Sequence, residues 1–285
     1  MDRLSVNNFR FYGDEIGLLR ANSEKKTLDN LIHKACHADL EVLVGMKGSV
    51  ALKTSKFTKI LYERWEWISS GTTLYAFDGQ IYQEITQVRL QRIIAPLWNM
   101  CWHDFVPNVS KNIYGLMLSE ALLDDPLQIN NYPDLLPFKN CLMQVDEDNR
   151  LTPVPYSITT YLTSQIPWNF PKKIECPLFI YFLNTILPDK KSRERVLAHI
   201  ASCFLSRRNK HQMGQIWLGT GGSGKSILAS FVAHLIGREF LMRRSLIEIT
   251  DDKFGKISYK GKKVHISSEI GGFTLSIKMQ EFLKE

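Results

Sequence analysis

The chain has 285 residues, 44% apolar and 23% charged, values that exclude a disordered tail and allow one large or two ordinary domains with cores of their own. Met1 to Asn8 hold no apolar signal-peptide segment, and the longest apolar run, Cys176 to Pro188, is about 13 residues, too short to span a bilayer. The expectation is a soluble, cytoplasmic protein with no membrane partner. The net charge of +7 is uneven: residues 171–285 hold 20 Lys and Arg against 10 Asp and Glu, while residues 1–170 hold 16 against 19. A basic half attracts polyanions such as nucleic acid, although a solvated basic surface explains charge alone equally well. The five cysteines are scattered with no C-x-x-C pair, the pattern of a reducing compartment and core packing.

Residues 1–55 are weakly patterned and read as a helical or linker region. Leu28 to Val44 predicts a helix ended by Gly45. It carries His33, Cys36 and His37, which read as helix surface because no second ligand cluster follows at zinc spacing. A clearer unit, residues 56–170, begins near Phe57. Leu74 to Phe77, Asp78-Gly79, then Gln80 to Ile85 predict a hairpin on a tight turn. Thr86 predicts the cap of a helix with Leu90, Ile93, Ile94 and Leu97 on one face, kinked or shortened at Pro96. Ser110 predicts the cap of another carrying Ile113, Leu116 and Met117. Trp65, Trp67, Trp98 and Trp102 read as core, with base stacking as the competing use. From Leu135 to Pro171 prolines recur, predicting an extended connector with a small hairpin at Asp146 to Arg150 and anchors at Tyr161, Trp168 and Phe170.

Residues 171–212 predict two helices. Leu178, Phe179, Phe182, Leu183, Ile186 and Leu187 line the first. Val196, Leu197, Ile200, Phe204 and Leu205 line the second, with Arg207 and Arg208 at its C-terminal dipole.

Residues 213–285 hold the most specific signal. Gly219-Thr220-Gly221-Gly222-Ser223-Gly224-Lys225-Ser226 completes the pattern G-x-x-x-x-G-K-[ST]. It lies between a predicted strand, Gln215 to Leu218, and a helix with Ile227, Leu228, Phe231, Leu235 and Ile236 on one stripe, ended by Gly237. Glycines let the backbone turn its N–H groups toward phosphate oxygens, and the helix N-terminus adds partial positive charge. The expected ligands are ATP and Mg²⁺, with Lys225 on the β- and γ-phosphates and the Ser226 hydroxyl on the metal. Val264 to Ile266 predicts a buried parallel strand beside Gln215 to Leu218. Glu269 after it is expected to polarise the attacking water and support Mg²⁺ through water, making Lys225 and Glu269 the candidate catalytic pair. Ser268 occupies the place of a second carboxylate. Asp252-Lys253-Phe254-Gly255 fits D-x-x-G, but it precedes the predicted strand and no N-K-x-D follows, so adenine is the default base.

With these residues in place, the chain from about Glu63 onward resembles the superfamily 3 helicase module of phage, plasmid and poxvirus-type primase–helicases. Phe138-Lys139-Asn140-Cys141 is similar to the family's F-x-N-G hairpin, with Cys141 where glycine is usual. Gln165 to Phe170, Cys176 to Leu183, Leu218 to Ser226, Leu235-Ile236-Gly237 and Gly261 to Glu269 follow in the family's order. The resemblance implies an α/β fold with a P-loop, AAA+-like ATPase core, incomplete here, behind a mixed α+β domain and a helical segment. It implies a homo-oligomeric ring, usually hexameric, around single- or double-stranded DNA, with ATP hydrolysis pulling one strand through, and a possible primase partner. The family's later channel hairpin, sensor asparagine and arginine finger have no counterpart before Glu285, so the chain reads as a fragment with weak turnover of its own. The competing expectation is a non-catalytic module that binds DNA or a partner and keeps a vestigial nucleotide site. A small-molecule kinase is a third reading, with no lid arginines or acceptor pocket to mark it.

Overall fold

The computed structural model describes residues 27–103, 105, 107–125, 128–132, 134–148, 150–173, 175–204, 214–252, 255, 259 and 262–267. It is a mixed α/β protein of helices and small sheets. The described residues fall into two compact units: 27–132 with 154–165, and 134–153 with 166–267.

In the first unit, α1 (Leu28–Leu40) starts at Thr27, whose side chain accepts from the Asn30 amide, and buries Leu28, Ile32, Cys36 and Leu40. It ends four residues before the expected Val44, in a 3₁₀ turn, Glu41–Leu43, ahead of Gly45 with φ +71°. Cys36 points into the core, where burial pushes its thiol up to about 12, while His37 Nδ1 lies 3.5 Å from the Glu41 carboxylate. Helix α2 (Val50–Arg64) was not expected from the pattern. Its inner face is Thr54, Phe57, Thr58 and Leu61, and both threonine hydroxyls donate back one turn, Thr54 to the Val50 carbonyl at 2.7 Å and Thr58 to the Thr54 carbonyl at 2.8 Å. Two residues that read as polar are thereby satisfied within the helix and packed inside.

Strands β1 (Trp67–Ser70), β2 (Thr73–Phe77) and β3 (Tyr82–Ile85) form an antiparallel meander. The turn between β2 and β3 is wider than Asp-Gly alone predicts: Asp78 Oδ1 accepts from the amides of Gln80 (2.8 Å) and Ile81 (2.9 Å), and Gly79 takes φ +100°. Helix α3 (Gln87–Trp102) starts at Thr86 as expected and buries Leu90, Ile93, Ile94 and Leu97, but it continues past Pro96 to His103. Pro96 and Arg92 are both exposed, so the Arg92 carbonyl that loses its donor faces solvent and the helix survives. Helix α4 (Pro107–Glu120) opens on proline rather than at Ser110. Ser110 is buried inside it and donates to the Pro107 carbonyl at 2.8 Å, and Leu116 is exposed. The tryptophans belong to this core: the indoles of Trp65, Trp67 and Trp102 donate to the carbonyls of Phe77, Leu61 and Met46, and Trp98 is buried against Phe57.

In the second unit, β4 (Leu135–Pro137), β5 (Leu142–Val145) and β6 (Leu151–Val154) make a sheet in that order, with the expected reversal closed by Asp146 Oδ1 accepting from the Arg150 amide at 2.8 Å. Asn140 ties the returning connector to this sheet, since its side chain accepts from the Phe170 amide (2.7 Å) and donates to the Phe170 carbonyl (3.1 Å). Helices α5 (Pro177–Ile186), α6 (Lys190–Ser202) and α7 (Lys225–Ile236) pack Leu183, Val196, Ile200, Leu228, Val232 and Ile236 into one cluster. Leu178, Leu197 and Ile227, expected on the inner stripes, are exposed instead. The cluster fills with Phe179 stacked on Phe231 at 4.2 Å between ring centroids and with Trp217. Leu205, Arg207 and Arg208 lie outside the described residues. Strand β7 (Leu241–Met242) leads to a short helix α8 (Leu246–Asp251), and β8 (Val264–His265) pairs with β7 in parallel.

Replacing Asn140 with alanine removes both bonds to Phe170. The expected loss is about 1–3 kcal/mol of unfolding free energy, read as a lower urea midpoint with an unchanged slope. A midpoint equal to that of the unsubstituted protein contradicts this tie.

Candidate nucleotide-binding site

The turn at Gly219 to Lys225 closes tightly enough to need its glycines. Gly222 and Gly224 take φ +76° and +83°, a region that side-chain-bearing residues enter at a cost of roughly 1–2 kcal/mol. A Cβ on Gly224 would stand 2.7 Å from Ile186 Cγ2, and one on Gly219 would stand 2.9 Å from Ser223 Oγ. Helix α7 starts straight from this turn. Its first intrahelical bond runs from the Leu228 amide to the Gly224 carbonyl at 2.9 Å, and no side chain caps it. The opening amides are therefore left to solvent or to an anion. Lys225 folds over the turn and spends its three ammonium hydrogens there: on the Gly219 carbonyl (2.7 Å), the Thr220 carbonyl (2.9 Å) and Ser223 Oγ (2.8 Å). A phosphate would compete for these donors, and at this exposed position the exchange is nearly balanced because each net bond is worth only about 1 kcal/mol.

Lys225 and Ser226 open onto a cavity of about 840 Å³. One wall is the segment Gln215 to Leu218, and the opposite wall is Val264 to Ser267. This corrects two expectations. Gln215 to Leu218 is not a strand, and β8 pairs with β7 rather than with that segment: Leu241 faces Val264 and Met242 faces His265. The ladder partner of β8 is taken by β7, and both Gln215 to Leu218 and Val264 to Ser267 line the cavity instead, with Ile216 and Leu218 exposed. Val264 to Ile266 is half-buried rather than buried.

Arg243, Arg244, Ser245 and Glu248 line the cavity from the turn after β7. Arg244 pairs with Asp252 at 3.0 Å, which occupies the aspartate of the D-x-x-G run. Glu248 accepts from the Ser245 amide at 3.2 Å as part of a capping box. His199 and Cys203 also face in. Burial pushes the His199 imidazole down and the Cys203 thiol up, so both are neutral at pH 7. With Arg244 paired to Asp252, the cavity's field comes from Lys225 and Arg243 against the Glu248 carboxylate, an arrangement suited to an anion.

A family model described as D5 N terminal like matches residues 20–188, more than half of the chain. The chain belongs to the D5 N-terminal-like family. This domain is found in phage and viral primase–helicase proteins. No curated protein sequence matches the chain. The D5 N-terminal-like stretch covers α1 through α5 and both three-stranded sheets, and it ends ahead of the Gly219 to Ser226 turn. No helix among the described residues is long and apolar enough to cross a membrane.

Of the expected site residues, the structure brings Gly219, Ser223 and Lys225 into mutual contact and places Ser226 beside them on the cavity. Thr220 joins through its carbonyl, while Gly221 and Gly222 form the exposed tip. Ser268 and Glu269 lie outside the described residues. Arg243 was missed by the sequence reading. Its available signal was a pair of arginines after a short apolar run and before Ser245-x-x-Glu248, a helix-start pattern that marks the end of a strand.

Gly224→Ala is expected to lower the unfolding free energy by about 1–3 kcal/mol, because it adds a methyl against Ile186 at positive φ. Gly221→Ala, whose Cβ meets nothing within 4 Å, is expected to change it by less than about 0.5 kcal/mol. Thermal unfolding of both variants checks this, and equal effects contradict the close approach.

Proposed function

We propose that this chain is the ATP-binding portion of a replicative DNA helicase of the phage, plasmid or viral type. The observation that carries the reading is the glycine-closed turn with Lys225 at the head of an uncapped helix, opening on a cavity with cationic walls. Membership of a family found in primase–helicases supports it. On this reading residues 213–285 are a P-loop, AAA+-like ATPase core. Lys225 moves from the Gly219 and Thr220 carbonyls onto the β- and γ-phosphates, and the helix amides take phosphate oxygens. The Ser226 hydroxyl would hold Mg²⁺, which would supply Lewis-acid stabilisation of the phosphoryl charge, and Glu269 would orient the attacking water. The fit rests on the turn itself, since a Cβ at Gly219 would crowd Ser223 and Lys225 inside it and one at Gly224 would push the turn off Ile186.

Hydrolysis in this proposal drives single-strand translocation through a ring of identical subunits, with a primase as a possible partner. The net +10 over residues 171–285 supports a nucleic-acid partner. Exposed Leu178, Leu218 and Ile227, on α5, before the turn and on α7, support contact with a neighbouring subunit.

Titration with Mg-ATP tests the reading. The protein is expected to bind and Lys225→Ala to lose at least about tenfold in affinity, the equivalent of one charge-assisted contact. Single-stranded DNA is expected to raise hydrolysis. DNA binding that is indifferent both to nucleotide and to Lys225→Ala would instead favour the non-catalytic module with a vestigial site.

A further inference from the structure

We infer that Arg243 is a second phosphate-binding residue of the Lys225 cavity, contacting the polyphosphate of a bound nucleotide. The inference rests on the nucleotide reading above and assigns a role that the glycine-rich motif does not contain.

Three observations converge on it. First, Arg243 lines the same cavity as Lys225 and Ser226. It stands at the carboxyl end of β7, and β8 runs parallel to β7, so the ends of both strands point to one side. In open α/β sheets that side is where ligands collect, because the strand ends and the following turns leave a crevice there.

Second, the backbone on either side of Arg243 is fixed. The Met242 carbonyl accepts from the Ile266 amide at 3.0 Å. The Arg244 carbonyl lies 2.8 Å from His265 Nε2, and His265 Nδ1 lies 2.7 Å from the Tyr259 hydroxyl. A carbonyl only accepts, so Nε2 carries the hydrogen that bonds Arg244, while Nδ1 is held by the Tyr259 hydroxyl. Ser245 then starts α8 with a reciprocal capping box. The position of Arg243 is set before any ligand arrives.

Third, among the described residues the side chain has no structural duty. Arg244 is committed to Asp252 and Glu248 to the Ser245 amide. Arg243 is exposed and makes no hydrogen bond or ion pair among the described residues. A guanidinium with unspent donors, on a pinned backbone and facing a cavity that already holds a lysine, matches a multiply charged oxyanion. Lysine brings a point charge at one place. Arginine adds a planar fork that grips two oxygens at once, so the pair discriminates a polyphosphate from a single phosphate.

The test is calorimetric titration of the full chain with Mg-ATP, Mg-ADP and inorganic tripolyphosphate, using the unsubstituted protein, Arg243→Ala, Arg243→Lys and Lys225→Ala. Arg243→Ala is expected to weaken Mg-ATP and tripolyphosphate by about tenfold or more, with an unchanged thermal midpoint because the side chain is exposed. Arg243→Lys is expected to recover part of the loss, which a purely structural role would not require. The inference is overturned if Arg243→Ala binds within twofold of the unsubstituted protein while Lys225→Ala loses binding, an outcome that leaves the nucleotide reading intact. Should the unsubstituted protein bind none of the three probes, the nucleotide reading fails and this inference with it. If Arg243→Ala is unstable, Arg243→Gln keeps the stem and decides the same question.

Discussion

A space too small for a methyl group governs the second unit. Gly224 turns at positive φ with Ile186 close enough that any Cβ would overlap it, and this contact joins three things. It seats α7 against α5 beside the Leu183 and Leu228 cluster, it fixes the residue from which the turn passes into the helix, and it stands where α7 begins with no side chain capping its first amides. Lys225 reports the consequence. Among the described residues its ammonium finds its acceptors on the rim of the turn. Stability and ligand affinity thus draw on one packing contact, which is why the site sits on a helix start and not on a free loop.

The parts around that turn are positioned by short, well-satisfied segments rather than by a large sheet. β7 and β8 pair over only two residues each, yet the Lys263 amide donates to the Phe240 carbonyl and the Ile266 amide to the Met242 carbonyl, extending the ladder at both ends. Lys263 then covers the Phe240 ring at 5.0 Å, and burial pushes its ammonium down from the usual lysine range. At the far end of α7, the Trp168 indole donates to the His234 carbonyl at 3.3 Å and Pro167 closes on Gly237. The connector therefore grips the helix at the end opposite the turn. A shift of α7 on ligand binding would reach the connector directly, through contacts within this one unit.

What was legible in the sequence was whatever rests on one residue's chemistry. Thr86 as a helix start, Asp146 to Arg150 as a reversal and Gly237 as a stop depend on a single side chain or a missing one, and the structure has them. Helix α2 was hidden because its buried face is half threonine, and only the back-bonding hydroxyls make that face apolar in effect. Strand β1 was hidden because Ser69 is buried, donating to the Leu118 carbonyl at 2.6 Å, so alternation breaks where a polar group is satisfied at a distance. Leu178 and Ile227 were misplaced because α5 and α7 are apolar on more than one face, and periodicity does not say which face turns inward. The glycine-rich turn was visible in full, but its partner across the cavity was not: pairing of β8 with β7 depends on contacts that no local pattern encodes.

The most direct test of the central claim is a crystal structure with a non-hydrolysable ATP analogue and Mg²⁺. The account predicts phosphate oxygens within hydrogen-bond distance of Lys225 Nζ and of the opening amides of α7, with the bonds from Lys225 to the Gly219 and Thr220 carbonyls broken. A structure in which Lys225 keeps both carbonyls while the nucleotide binds elsewhere contradicts it.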